Sequence, residues 1–308
     1  MKKNYLIMMS AISLFISCSL SQAYRISEKF STRFRLESQI TAGQNIIVFI
    51  KDAYLKWSYS GNHVMVLGIS PPPTYTVSED VWGHRYLEKT IGDLRHISPS
   101  RDFGISFSGD ILEGGPLKYY VMYANGFGPK PENNKQKRLF GHIMFNPGGN
   151  WHITFYGDFH GAPRVADERD PASSSTLANH TITPGLFAGY KKEHKYSFGI
   201  EGFMPIQKNA LFDDIGLTYS GRTTLALSVF GSVYIAEQFS VVGRYDYFDP
   251  ATESGSDHRN LVLLGFTWHP NDKIYLTPNI FVETYEDLPG GKKIDPSLTA
   301  RLTFFYNF

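Results

Sequence analysis

The hydrophobic positions of this chain recur with a period of two. From Leu298 to Phe308, every even position is apolar: Leu298, Ala300, Leu302, Phe304, Tyr306 and Phe308. The odd positions, Arg301 among them, are polar apart from Phe305. Such alternation predicts a strand with one apolar and one wet face. The same rhythm sets Phe30, Phe34, Leu36 and Ile40 against Arg33, Arg35, Glu37 and Gln39. It sets Trp151, Ile153, Phe155 and Phe159 against His152, Thr154, Tyr156, Asp158 and His160. Two further stretches, 225–235 and 239–247, alternate alike, the second with Arg244 and Asp246 on its polar face.

Extended over the chain, the pattern predicts about fourteen strands, with twelve to sixteen as the range. They fall at 30–40, 46–58, 62–69, 101–109, 117–125, 137–146, 151–160, 180–191, 194–205, 225–235, 239–247, 259–269, 273–285 and 298–308. Each has the length a tilted strand needs to cross a hydrocarbon layer. The connections alternate as well. Links 41–45, 70–100, 126–136, 161–179, 206–221, 249–258 and 286–295 are mostly long and rich in Gly, Pro, Asn, Asp and Lys. The intervening links 59–61, 110–116, 147–150, 192–193, 236–238 and 270–272 are short. A soluble sandwich has no reason to alternate loop lengths, whereas a barrel of the bacterial outer membrane has long outer loops and tight periplasmic turns. The predicted fold is therefore all-β, a transmembrane antiparallel β-barrel, occupying residues 24–308 as one domain. An even strand count places both termini on the periplasmic side.

Composition agrees. Aromatic residues make up 15% of the chain, Gly is frequent at 28 residues, and the net charge is +1. After the first residues no run of about twenty apolar residues occurs, so no spanning helix is predicted. Near-neutral charge implies no nucleic-acid partner. Residues 1–23 read as a cleaved signal peptide: Lys2 and Lys3, an apolar stretch from Tyr5 to Cys18, then small residues Ser21 and Ala23. Phe15-Ile16-Ser17-Cys18 offers a competing lipoprotein reading, with Phe15 a poor fit. Cys18 is the only cysteine, so the mature chain carries no disulfide framework. From Tyr24 the first strand is reached within about six residues, which leaves no room for the plug of an energy-coupled transporter.

The longest link differs from the rest. After Pro71-Pro72-Pro73 it carries Ser78-Glu79-Asp80, which predicts the cap of a short helix. Trp82, Tyr86 and Leu87 at helical spacing would pin that helix to a wall, leaving Arg85, Lys89 and Arg95 toward water. This segment resembles the phosphate-selective porin (O and P type) family and general outer-membrane porins. The residues that carry the likeness are Gly68 to Pro73, Glu79, Tyr86-Leu87-Glu88-Lys89 and Ser100-Arg101-Asp102-Phe103-Gly104-Ile105-Ser106-Phe107-Ser108-Gly109, continuing into Tyr123 to Gly128. The match covers roughly a fifth of the chain and implies a porin with an inward-folded loop. It does not extend to phosphate selectivity. The family's phosphate pores are longer, sixteen-stranded and densely basic, whereas this segment mixes Glu79, Asp80, Glu88 and Asp93 among its cations.

The resemblance implies passive diffusion of small hydrophilic solutes or ions, with no cofactor. The 70–100 loop would narrow the pore through Arg85, Lys89, Arg95, Arg101 and Glu88, unless it packs on the outer rim with its charges in solvent. Arg33, Arg35, Glu37, His152, Asp158, Arg244, Asp246 and Arg301 would line the lumen. Outward Trp151, Trp268, Tyr245, Tyr247, Tyr306 and Phe308 would form the interfacial girdles. The expected partners are outer-membrane lipids and the barrel assembly machinery, engaged through strand 298–308; the related porins are homotrimers. Two other classes compete. A barrel enzyme acting on lipids would need a converging Ser-His arrangement, and no His-x-Ser motif of the phospholipase type occurs. A closed barrel displaying adhesive loops would show neither efflux nor catalysis. The ten histidines give no complete metal site: His152 and Asp158 lie near 20 Å apart along one strand.

Overall fold

The computed structural model describes residues 18–40, 46–170, 172, 174–255, 257–287 and 290–306. The chain forms strands β1 (Cys18–Arg25), β2 (Phe30–Ile40), β3 (Ile46–Ser60) and β4 (His63–Ser70), then helices α1 (Thr76–Trp82) and α2 (Ile91–Leu94). Strands β5 (Asp102–Asp110), β6 (Leu117–Ala124), β7 (Arg138–Phe145) and β8 (Trp151–His160) follow. After the short β9 (Val165–Ala166) and β10 (Thr176–Leu177) come β11 (Thr181–Lys192), β12 (Tyr196–Phe203), β13 (Ile206–Asp213) and β14 (Thr218–Thr223). The last five are β15 (Leu225–Ala236), β16 (Phe239–Asp249), β17 (Arg259–Asn271), β18 (Ile274–Tyr285) and β19 (Ser297–Tyr306). Among the described residues no helix is long and apolar enough to cross a membrane.

Each predicted strand is present with its ends moved by a few residues. The registers are antiparallel throughout: β1 to β8 pair in sequence, β8 pairs β11, β11 pairs β12, β12 pairs β15, and β15 to β19 continue. Among the described residues the main sheet contains seventeen strands. The additions to the predicted set are β1, which lies along β2, and the β13–β14 hairpin. That hairpin corrects the reading of 206–221 as a loop: Leu211 to Asp213 pair with Ser220 to Thr218 after a break in register. β13 continues past the β12 end against β11 through Thr181 and Ile182, so it extends the wall outward.

Alternation turns the protein inside out relative to a soluble domain. Phe155, Leu186, Ile200, Val229, Leu264 and Phe304 are exposed on the outside. On the inside Thr154, Thr183, Glu201, Ser228, Asp246, Thr267 and Asn279 are buried. Trp151, Trp268, Tyr245 and Tyr306 lie on the exposed outer face as predicted, whereas Phe308 lies outside the described residues. Glycine sets the wall thickness where the inserted segment begins. Gly68 (φ +131°) stands opposite Gly104 across β4 and β5. A Cβ on Gly68 would sit 2.2 Å from the Ala53 carbonyl oxygen, a distance no side chain tolerates.

Candidate functional site

Residues 71–101 enter the barrel, and the sheet wraps around them. Thr74 donates to Tyr156 on β8 at 3.2 Å, and Arg138 on β7 donates to the Ile97 carbonyl at 2.9 Å. Ser78 donates to Glu201 on β12, and Arg244 on β16 donates to the Lys89 carbonyl. Arg95 meets Glu283 on β18 at 2.7 Å, Tyr86 stacks on Phe305 of β19 at 5.0 Å, and Arg101 holds Asp52 on β3. One stretch of chain that touches strands from β3 to β19 can do so only from within the ring. The rim-packed alternative does not describe this structure.

The segment is seated by apolar contact. Trp82 is fully buried, packs edge-on against Phe230 at 5.2 Å and donates its indole N–H to the Glu88 carbonyl at 2.9 Å. Below it lie Phe187, Phe230, Val242, Leu261, Leu263 and Phe281, inward residues of five strands. A glycine makes this seat possible: a Cβ on Gly199 would meet the Phe230 and Phe187 rings at 2.6 and 2.7 Å. Burying a tryptophan-sized side chain contributes about 3 kcal/mol.

Three sequence expectations about this segment are corrected. Ser78 is not the helix cap; Tyr75 is, and Ser78 sits inside the first turns, donating to Tyr75 O and to Glu201. The helix stops at Trp82, because Gly83 adopts the left-handed conformation (φ 66°) that closes a helix. Tyr86 and Leu87 are therefore beyond it, though both still pin the segment inward. Arg95 is not turned to water: its side chain is 10% exposed and committed to Glu283. Arg101 is likewise largely buried on Asp52.

The remaining candidate residues divide by wall. Under the segment, Arg138 chelates Asp158 at 2.9 and 2.7 Å, and Arg244 chelates Asp246 at 2.8 and 2.6 Å. All four side chains are essentially buried. Each arginine spends a further N–H on a carbonyl of the inserted segment, so these pairs act as clamps. His152 lies on the same inward face and contacts Asn146 at 3.1 Å, separate from the clamps. Sequence reasoning missed Arg138, Glu201, Ser78 and Asp52 as partners, because alternation gives the face of a residue and says nothing of its height along the strand.

On the other side several charges keep contact with water, although Asp52 and Lys51 among them are buried. Arg33 lies 3.2 Å from Asp52, Arg35 lies 3.0 Å from Glu37, and Lys51 lies 3.7 Å from Glu37. From the segment, Arg85 bridges Glu79 at 3.0 Å and Asp93 at 2.8 Å, while Lys89 reaches Asp93 at 3.6 Å. Arg301 projects from β19 toward Glu88 at 3.9 Å. Lys89, Arg301, Arg33 and Arg85 retain 46, 40, 39 and 34% side-chain exposure, against 28% for Glu79 and less for Glu88 and Glu37. Open water therefore runs beside β2, β3 and β19, along the charged edge of the segment. Burial holds the Glu79 carboxyl above its usual range, opposed by Arg85. Burial pulls the Arg85 guanidinium down, but Glu79 and Asp93 outweigh it and raise it. Burial also pushes His84 down to about 4, which keeps the ring neutral beside the Tyr86 hydroxyl at 3.1 Å.

A polar-lined antiparallel barrel with an inserted, charge-edged segment has the architecture of outer-membrane porins. Solved structures agree on the fold. The chain is similar to Salmonella typhi OmpF in complex with daunomycin at 11% identity, covering 96% of this chain and 90% of that one with a TM-score of 0.64. It is similar to OmpT of Vibrio cholerae at 12% identity, with 94% and 86% covered and a TM-score of 0.59. It is also similar to an anion-selective porin from Comamonas acidovorans at 13% identity, with 96% and 86% covered and a TM-score of 0.58. No protein family matches the chain, and no curated protein matches it in sequence. These likenesses support a general porin fold and do not single out the phosphate-selective porins.

Proposed function

We propose that the protein is an outer-membrane pore for passive diffusion of small hydrophilic solutes and ions. The observation that carries this reading is the group of partly exposed charges beside β2, β3 and β19: Lys89, Arg301, Arg33 and Arg85. The inserted segment covers most of the β7–β18 wall and leaves a restricted wet passage beside β2, β3 and β19 that borders β17 and β18 at Leu261, Phe281 and Glu283. Charged groups facing that passage replace part of the hydration of a passing ion, and the segment sets the size limit. Because the cations there are more exposed than the anions, the passage favours anions weakly. The mixed signs of Glu79, Glu88 and Glu37 argue for a general pore over one specific for phosphate.

The exposed outer residues fit contact with membrane lipids, and export through a signal peptide cleaved after Ala23 fits that location. Cleavage there would remove most of β1 and leave an edge of β2 for β19 to pair with, so that no backbone edge faces hydrocarbon. Strand β19 would carry the recognition signal for barrel assembly; its last residues, 307–308, lie outside the described set. A homotrimer is the assembly we expect, in line with the trimer form recorded for Vibrio cholerae OmpT. We assign no catalytic role. Reconstitution into solute-loaded liposomes tests the function: efflux of small sugars and salts with intact phospholipid supports the pore. Lipid cleavage would establish an enzyme, and neither activity would leave a closed display barrel.

A further inference from the structure

Simple diffusion makes no use of one feature on the wet side of the lumen. Between the inserted segment and β17–β19 lies a cavity of about 210 Å3, lined by Glu88, Arg95, Leu261, Phe281, Glu283 and Arg301 among others. Its two arginines are in different states. Arg95 is already committed to Glu283 at 2.7 Å. Arg301 is not, since its carboxylate neighbour Glu88 stands at 3.9 Å, beyond hydrogen-bond reach. The Arg301 guanidinium instead lies over the Phe281 ring at 4.2 Å. That stack fixes the plane of the fork while leaving its N–H groups available.

We infer that Arg301 and Phe281 form a binding subsite for small monocarboxylates with a short hydrocarbon body. The planar fork matches the two oxygens of a carboxylate, and a held fork loses little freedom on binding. Phe281 and Leu261, largely buried under the segment, still line the cavity and offer a small apolar edge beside the fork for one or two methylene groups. Glu88 and Glu283 in the same lining oppose a second negative charge, which disfavours dicarboxylates and phosphate. The inference rests on the water-filled lumen proposed above and adds a ligand class to it: the subsite would concentrate such acids at the narrow passage.

The test is direct binding to the folded protein in detergent, read by saturation-transfer NMR with butyrate as probe. Butyrate is expected to bind saturably, with succinate weaker and inorganic phosphate a poor competitor. Arg301→Gln should weaken butyrate by about tenfold or more, the loss expected for charge-assisted hydrogen bonds. Phe281→Leu, which keeps the charge and frees the fork, should weaken it several-fold; heat-modifiable gel migration verifies folding of both. Equal binding by both variants, or phosphate competing as well as butyrate, would overturn the subsite. Conductance in potassium chloride is recorded separately. Channels without butyrate binding reject the subsite alone, and butyrate binding without channels rejects the pore alone.

Discussion

Two walls of the same lumen use charge in opposite ways. On the β7–β18 side, Arg138–Asp158 and Arg244–Asp246 are buried, doubly hydrogen-bonded and capped by segment carbonyls. On the β2–β3 and β19 side, Arg33, Lys89 and Arg301 keep a third or more of their surface in water and hold looser partners. Alternation alone would have made both walls equally polar and equally wet. What separates them is where the inserted segment sits. Once Trp82 covers the small and aromatic residues of β11–β18, any charge beneath it must be paired or it carries an unrecovered desolvation cost. The first wall is thus structural, and in the proposed pore the second is the one that would meet solutes.

Removing the segment should break this contrast outright. Deleting Trp82 to Leu94 exposes the clamped wall, and single-channel conductance is expected to rise several-fold; an unchanged value would contradict a constriction role. A smaller break comes from one clamp. Arg138→Ala strands Asp158 in a buried site and should cost roughly 3–5 kcal/mol in urea unfolding. Arg33→Ala on the wet wall should cost about 0–1 kcal/mol, because Arg33 is well exposed and Arg101 still holds its buried partner Asp52. Equal losses at the two positions would erase the distinction between the walls. The wet wall should in turn control ion preference. Lys89→Glu reverses the most exposed charge of the passage, and the reversal potential under a potassium chloride gradient should move toward cation preference by several millivolts. A charge reversal at Glu283, which is half-buried and paired with Arg95, would report mainly through stability.

The smallest effect concerns pH. His84 ionises near 4 in the fold because burial opposes its charge, below the ordinary histidine value of about 6.5. Its contribution to seating the segment is complete above about 6.5 and is lost as pH falls toward about 4, because only the unfolded chain gains the proton readily. Wild-type protein should therefore lose more stability between pH 7 and 4 than His84→Gln. The comparison cancels Glu79, which is present in both chains.

The barrel was legible because its faces are dictated by solvent. Phe155 and Val229 point outward while Thr154 and Ser228 point inward, and a period of two records that directly. The alternation of long and short links marked the hairpins for the same reason. The site was legible in outline only. The structure leaves Arg85 and Lys89 partly exposed at the edge of the segment and buries Trp82 against the wall. Arg95 was misplaced because the short helix opened at Ser78 was carried past Trp82 to Tyr86 and Leu87. Gly83 ends α1 and redirects the chain, so helical spacing beyond Trp82 has no geometric meaning. The β13–β14 hairpin was hidden because charged and turn-forming residues around Lys208 and Asp213 masked a strand that lies at the outer rim. Partners such as Arg138 and the Ile97 carbonyl, 41 residues apart, were beyond reach of any local pattern.

Cysteine accessibility tests the central claim most directly, since Cys18 is the only native cysteine. Single cysteines would be placed at Arg33 and Lys89 on the wet side, and at Thr183 and Ser228 beneath the inserted segment. A charged methanethiosulfonate reagent would then be applied to open channels in planar bilayers. Stepwise current changes at the first pair and none at the second are the predicted result. Equally fast modification at all four positions would show a lumen open on every side and contradict the account.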